Sequence, residues 1–330
     1  MSYGVLVDTV FGTLDRVTVS GNTVDVGTTS TGGCITVDAN DAVPTQVSVT
    51  DNSTVNGYRG VYVIGNGTER FSDFSVCRNR VLDADSIGIH VTNMGSLRNV
   101  SVDDNSVQNV DALAFTGQGV SVNSGTIQSN TFNVSVSGNS IDSTQGQGIF
   151  LQLLRSANNP EARNISVCNN RISNWNESGA YASTVSAITV NTSISGANAH
   201  ALYNLNVSHN TCIDVTNDYV SGFSFSLDEK TRQVVFAHNQ VLLNNQANAA
   251  AMAWTFTNTG GNVPLDFSFM GNQFRNTNNV GPSYTGAAVA NHATFYGNIG
   301  SAVNFWTTFA GNWATYVPAT INNHNIDDGT

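Results

Sequence analysis

VSVDDN at 100–105, VSVSGN at 134–139 and ISVCNN at 165–170 are three copies of one hexapeptide: apolar, any, apolar, any, any, Asn. The same pattern precedes them as VTVSGN ending at Asn22, VSVTDN at Asn52 and FSVCRN at Asn79. It follows them as LNVSHN at Asn210, VVFAHN at Asn239 and FSFMGN at Asn272, with weaker copies at Asn298 and Asn312. Asn22 to Asn298 spans 276 residues in nine intervals, a mean of about 31 and so within the range of solenoids and propellers. Alternation puts the first and third residues of each copy on one face of a strand.

Two further strands complete each period. Two residues past the Asn an apolar residue recurs at Val24, Val81, Val107, Ile141, Ile172, Val241 and Phe274. Later in most periods comes Gly or Ala, apolar, any, apolar: GVYV at 60–63, GIHV at 88–91, GIFL at 148–151, AITV at 187–190 and GFSF at 222–225. One rung offers two choices, ALAF at 112–115 or GVSV at 119–122. Three short strands per period, with Asn, Gly and Ser at the corners, describe a coil of a β-helix rather than βαβ units or a four-stranded propeller blade. The Asn itself is expected to take the left-handed bend between strands. Coils stacked about 4.8 Å apart would let its amides bond in a ladder.

These coils resemble the right-handed parallel β-helix of pectate-lyase-like proteins and bacteriophage tailspikes over nearly the whole chain. The expected fold is all-β, a single-stranded right-handed solenoid of about ten coils spanning residues 1–291. Residues 292–330 are expected to form terminal coils and an aromatic-rich cap or trimer contact. GVLV at 4–7 already reads as a strand, so the chain is expected to be part of a longer protein or to have its end covered by a partner. Fold does not set activity, and the resemblance implies only a class of roles. The first is a virion tailspike or tail fibre that attaches to host surface polysaccharide, either binding it alone or also depolymerising it as a glycosidase or lyase. The alternatives are a secreted polysaccharide lyase or glycoside hydrolase, and a non-catalytic structural β-helix of a virion.

Composition narrows the partners. The 330 residues carry 12 Lys and Arg against 23 Asp and Glu, a net charge of −11, and only one lysine, Lys230. A groove neutralising many phosphates is not expected, hence no nucleic acid. No apolar run is long enough to insert in a membrane, and MSYGVLVDTVFG lacks the features of a signal peptide. Cys34, Cys77, Cys168 and Cys212 are too few and scattered for a disulfide framework or a zinc site. No phosphate-binding glycine loop, nucleophile elbow or metal-ligand spacing is present, so no cofactor and no metal are expected.

Chemistry on a solenoid belongs to outward residues and loops. Tyr62, His90 and Phe150 lie outward on the third strand of their periods, with Tyr62 and His90 on adjacent coils. A flat ring beside polar groups suits sugar stacking. Glycoside cleavage uses a carboxylate pair. Asp83 and Asp85 in VLDADSIGIH form one candidate, with Arg59 or His90 nearby. Glu177 with Asp142 or Glu161, beside Trp175 and Arg155, forms the second. Asp111, Gln145 and Asn174 enter the same side. The polygalacturonase pattern is incomplete: Asp103-Asp104 lies in the Asn105 bend and no His-Gly step exists. Lys230 sits in a DEKTR turn without the acidic surroundings of a pectate-lyase calcium site. Sequons such as Asn99 and Asn133 fall within the coil pattern and need not mark glycosylation. In the C-terminal third the inward positions turn to Phe236, Phe267, Phe269, Phe274 and Phe295, then Phe305, Trp306, Phe309 and Trp313. Outward Ala251, Ala253, Ala288 and Ala290 leave room for a second backbone, which leads to the expectation of a homotrimer.

Overall fold

The computed structural model describes residues 4–8, 14–27, 32–39, 45–65, 71–93, 95–111, 117–124, 130–153, 161–176, 185–192, 201–216, 220–228, 231–243, 250–257, 266–275, 292–300 and 326–327. Among them there is no helix. The strands form three sheets of nine, ten and eleven strands, and consecutive members of each sheet lie one period apart in sequence. Every pairing is parallel. The chain therefore winds as a β-helix.

One coil shows the order. Leu97–Asp103 belongs to the second sheet, Ser106–Val110 to the third, and Gln118–Ser124 to the first. The strand at Gln118–Ser124 settles the ambiguous rung in favour of GVSV; residues 112–116 lie outside the described residues. The alternating apolar residues point inward as their period requires. Val100 and Val102, Val134 and Val136, and Ile165 and Val167 are at most 1% exposed. They form one continuous core with Val107, Ile141 and Ile172 of the third sheet and Val120, Ile149 and Ile188 of the first. Toward the C-terminus this core becomes aromatic: Phe236, Phe269 and Phe274 are fully buried, with Phe236 stacked on Phe269 at 5.1 Å.

Between the second and third sheets every coil turns through the same two residues. The second is the recurring Asn, which forms an unbroken ladder from Asn22 to Asn298. Each Nδ2 donates to Oδ1 of the Asn in the next coil at 2.9–3.1 Å. The same Oδ1 accepts the backbone N–H of the earlier Asn at 2.9–3.2 Å. The remaining Nδ2 proton goes back to a carbonyl of the previous coil, as from Asn139 to Val102 O at 2.8 Å. An interior amide thus makes four hydrogen bonds, which is why Asn52 to Asn298 can lie at 0–2% exposure without the penalty of a buried unpaired group.

The left-handed backbone belongs to the residue before the Asn, not to the Asn as the sequence pattern had led us to expect. Asp51, Arg78, Asp104, Asn169, His209 and His238 have φ of 54–59°, and glycine fills the place at Gly21, Gly138, Gly271 and Gly297. The Asn must stay in the right-handed or extended range to aim its amide inward. The preceding residue absorbs the reversal and points outward, where Arg78 pairs with Asp51 at 2.8 Å and His209 lies against His238 at 5.0 Å.

Left-handed positions recur six residues before and four after the ladder Asn. The earlier column holds Asp73, Asn99, Asn133, Asn164 and Asn204. Each Asn there donates Nδ2 to Oδ1 one coil back at 2.8–2.9 Å, a second, solvent-exposed ladder. The later column includes Asn56, Asp83, Asn109, Ser143 and Asn174. Against the third sheet the first packs backbone on side chain: a Cβ on Gly119 would sit 2.4 Å from Ile141 Cγ2, and one on Gly88 2.4 Å from Val107 Cγ1.

Asn139→Ala deprives Asn105 of both its amide and backbone acceptor contacts and removes the amide donor to Val102 O. Urea unfolding of this variant is expected to show a loss of about 3 kcal/mol or more, from several buried groups at about 1–3 kcal/mol each. Asn133→Gly in the exposed ladder, where the left-handed backbone is kept, is expected to change stability by less than about 1 kcal/mol.

Candidate functional site

Parallel register lines up outward residues of the first sheet in columns. One runs Thr36, Tyr62, His90, Ser121, Phe150, Thr189, Ser224. A second, two residues on, runs Asp38, Ile64, Thr92, Asn123, Gln152, Asn191. Tyr62, His90 and Phe150 therefore share one face, with His90 and Phe150 separated by the single small residue Ser121. That serine is 0% exposed, shaded between the two rings.

The face is densest around Arg59. Its guanidinium carbon lies 4.2 Å from the Tyr62 ring centre and 5.1 Å from that of Tyr58. Tyr62 stacks in turn on His90, centroids 5.1 Å apart and 20° from parallel. The stack runs along the solenoid axis because neighbouring coils are one ring thickness plus a little apart. Tyr62 therefore turns its faces to its neighbours and its edge to solvent, which changes its expected role from a stacking platform to an edge carrying a hydroxyl. His90 is 9% exposed, and burial together with the Arg59 charge pushes its pKa down to about 3. It is neutral at ordinary pH. Asn123 Nδ2 donates to its Nε2 at 3.0 Å, so the ring proton sits on Nδ1. His90 Nδ1, Arg59 Nε and Asn123 Oδ1 are buried without a hydrogen-bond partner.

At the N-terminal edge of the same sheet the polypeptide arrives from the third sheet through another column. Asp85 N–H donates to Gly57 O, Asp111 N–H to Ala84 O and Gln145 N–H to Val110 O, which places Tyr58, Asp85, Asp111 and Gln145 in line. Asp85 is half-buried and Asp111 exposed. Burial, and then the Asp111 charge one coil away, holds the Asp85 carboxyl above its usual range. Asp83 stands apart from this couple: it occupies a left-handed corner and its Oδ1 accepts from Asn109 Nδ2 at 2.9 Å. Asp83 and Asp85 flank the buried Ala84, yet each faces a different neighbour in the next coil.

Of the second candidate group, the described members Asp142, Trp175 and Glu161 lie on separate elements. Asp142 lies outward on the third sheet, where Ser173 Oγ and Asn174 Nδ2 donate to it at 2.7 and 2.9 Å. Trp175 is fully buried and donates Nε1–H to Val185 O at 3.0 Å, so its ring belongs to the core; burying the largest side chain is worth more than leaving it wet once its one N–H has a partner. Glu161 is engaged by Arg163 at 2.7 Å on the second sheet. Glu177 and Arg155 lie outside the described residues.

Three polar residues of the first-sheet face were not singled out from the sequence: Asn123, Gln118 and Gln147. Gln118 Nε2 donates to Gln147 Oε1 at 3.0 Å, extending the polar edge beyond Arg59. Choosing GVSV over ALAF would have placed Gln118 and Asn123 by counting alone. Among the described residues no group of three or more His, Cys, Asp or Glu is placed to hold a metal ion, all four cysteines are free and buried, and no helix is long and apolar enough to cross a membrane. No family model matches the chain, and no curated protein matches it significantly.

His90 gives the face a pH signature. Its folded pKa is depressed from 6.5 to about 3, so the unfolded chain binds the extra proton between these values, and stability falls as pH drops from 6.5 toward 3. Urea midpoints measured over that range are expected to decline less steeply in His90→Gln than in the parent chain.

Proposed function

We propose that this chain is a segment of a bacteriophage tailspike or tail fibre that binds host surface polysaccharide along the outward face of its first sheet. The observation that carries the reading is the gathering of Arg59, Tyr62, His90, Asn123 and Phe150 on one rigid strip. There, buried His90 Nδ1, Arg59 Nε and Asn123 Oδ1 stand unpartnered. A polyhydroxylated ligand supplies both donors and acceptors and satisfies all three on a small opening of the half-buried Arg59 and Asn123 side chains. Phe150, half-buried two coils above His90, supplies apolar surface for the CH face of a sugar. A strip of stacked coils binds a repeating polymer better than a single small molecule, because the site repeats along the axis as the polymer does. Localisation in a virion tail, and assembly as a homotrimer through the small residues that the sequence pattern assigns to the outer face around Ala251 and Ala253, belong to the same reading.

The Asp85 and Asp111 couple favours a second reading, in which the bound glycan is also cleaved. A carboxyl whose pKa is raised by burial and then by a neighbouring carboxylate is shifted in the direction a general acid needs, with a second carboxyl group one coil away. Coil spacing of about 4.8 Å is near the separation of about 5–5.5 Å used by retaining glycosidases.

Capsular and O-antigen polysaccharides immobilised on a sensor test both. Binding is expected for one class and is expected to fall about tenfold or more in Tyr62→Ala and Phe150→Ala, the loss of a well-packed ring contact. Absence of binding across the panel, or binding indifferent to both substitutions, would remove the first-sheet reading. A reducing-end assay is expected to lose its signal in Asp85→Asn while binding persists. Light scattering at three times 34.9 kDa is the expected mass; a monomer would remove the trimer.

A further inference from the structure

The second sheet carries a different column, seven residues before each ladder Asn. Register aligns Arg98, Phe132, Arg163, Tyr203 and Arg232 in consecutive coils. Cation and ring alternate. The Arg98 guanidinium lies 4.8 Å from the Phe132 ring centre and that of Arg163 lies 4.9 Å from Tyr203. Three of the 12 basic residues of a chain with net charge −11 thus stand in one line. Chance alternation of core residues does not account for it, because these side chains point out: Arg163 and Arg232 are exposed and the others half-buried.

Stacking sets what the column can do. A guanidinium set over a ring spends a face on the ring and keeps N–H groups that can grip a carboxylate through two hydrogen bonds. Arginines on alternate coils recur every two coil heights, about 10 Å. Beside them runs the exposed ladder of Asn99, Asn133, Asn164 and Asn204, one amide per coil. Next comes a row of hydroxyls at Ser75, Ser101, Ser135 and Ser166 in register. Arg98 and Arg232 form no ion pair among the described residues, and Arg98 Nε is without a hydrogen-bond partner. Arg163 is held by Glu161, whose Oε2 accepts from Nε and Nη2 at 3.0 and 2.7 Å.

We propose that this face binds an anionic polysaccharide bearing carboxylates at intervals, its acidic groups on the arginine column and its hydroxyls on the amide and serine rows. Sparse charge is the matching requirement. A nucleic acid places a phosphate every 3.4 Å or so per strand, too dense for arginines two coils apart on an acidic body. The inference shares with the first-sheet reading only the class of polymer; the sheet and residues are separate, so either can fail alone.

The experiment measures binding to immobilised polygalacturonate, alginate and hyaluronate, with dextran as the neutral control, at low and high salt. Retention on at least one uronate polymer and not on dextran is expected, weakening as salt rises. The double variant Arg98→Gln, Arg232→Gln is expected to reduce it about tenfold or more, while Arg171→Gln, the same charge loss on the third sheet, leaves it unchanged. Glu161→Gln, which frees the Arg163 fork, is expected to tighten it several-fold. Unfolding midpoints of the variants, compared with the parent chain, report that the fold is kept; if the double variant does not fold, Arg232→Gln alone and Glu161→Gln decide. No retention on any of the three, equal competition by a single-stranded oligonucleotide, or binding unmoved by the substitutions would overturn the proposal.

Discussion

A buried amide that satisfies itself is the constraint on which this molecule depends. A primary amide has two protons and room for two accepted bonds, and each interior ladder Asn uses all four within the column it builds. Neither a serine nor an aspartate can replace it. Serine lacks the reach and the second donor; aspartate has no donor when ionised and would stack charge on charge inside a core. Because the bonds run between coils, the ladder also sets coil height and register. Slip by one residue would bury the exposed face of the second sheet and expose its valines.

Once register is set at one corner, every other position is carried with it. Each outward position becomes a line of side chains about 4.8 Å apart. Neighbours in such a line interact face to face if they are flat and end to end if they are amides. The Tyr62–His90 stack, the Arg98–Phe132 contact, the exposed Asn ladder and the coupling of Asp85 to Asp111 are one geometric rule applied to different residues. Function on this scaffold is therefore written in columns. A residue acts with its counterpart one period away more than with its neighbour in sequence, which is why Asp85 answers to Asp111 while Asp83 answers to Asn109.

Much of this was legible beforehand. The hexapeptide reports the inward pair of the second sheet and the ladder Asn directly, because a core position tolerates few residue types and a four-bond amide tolerates one. Tyr62, His90, Arg59 and Phe150 were reachable by counting along the third strand of each period. The left-handed residue was not: Asp, Arg, Asn, His and Gly share that site, so it shows no residue signature. Trp175 read as a surface ring because it sits beyond a corner, where periodicity ends and the direction of a side chain depends on the next strand. The arginine column escaped notice for a related reason. Its members are unlike one another, and only their alignment makes them a feature.

By itself the sequence determined the architecture: period, three strands per coil, inward faces and the amide column all follow from local alternation and from a repeat that no other arrangement satisfies. Only the tertiary structure decided which outward residues meet. Coils vary in length between their strands, so the chain distance between partners ranges from 26 residues for Asn79 and Asn105 to 40 for Asn170 and Asn210. Register, imposed by backbone hydrogen bonds across coils, converts those unequal separations into one constant spacing, and the chemistry of the surface exists only after that conversion.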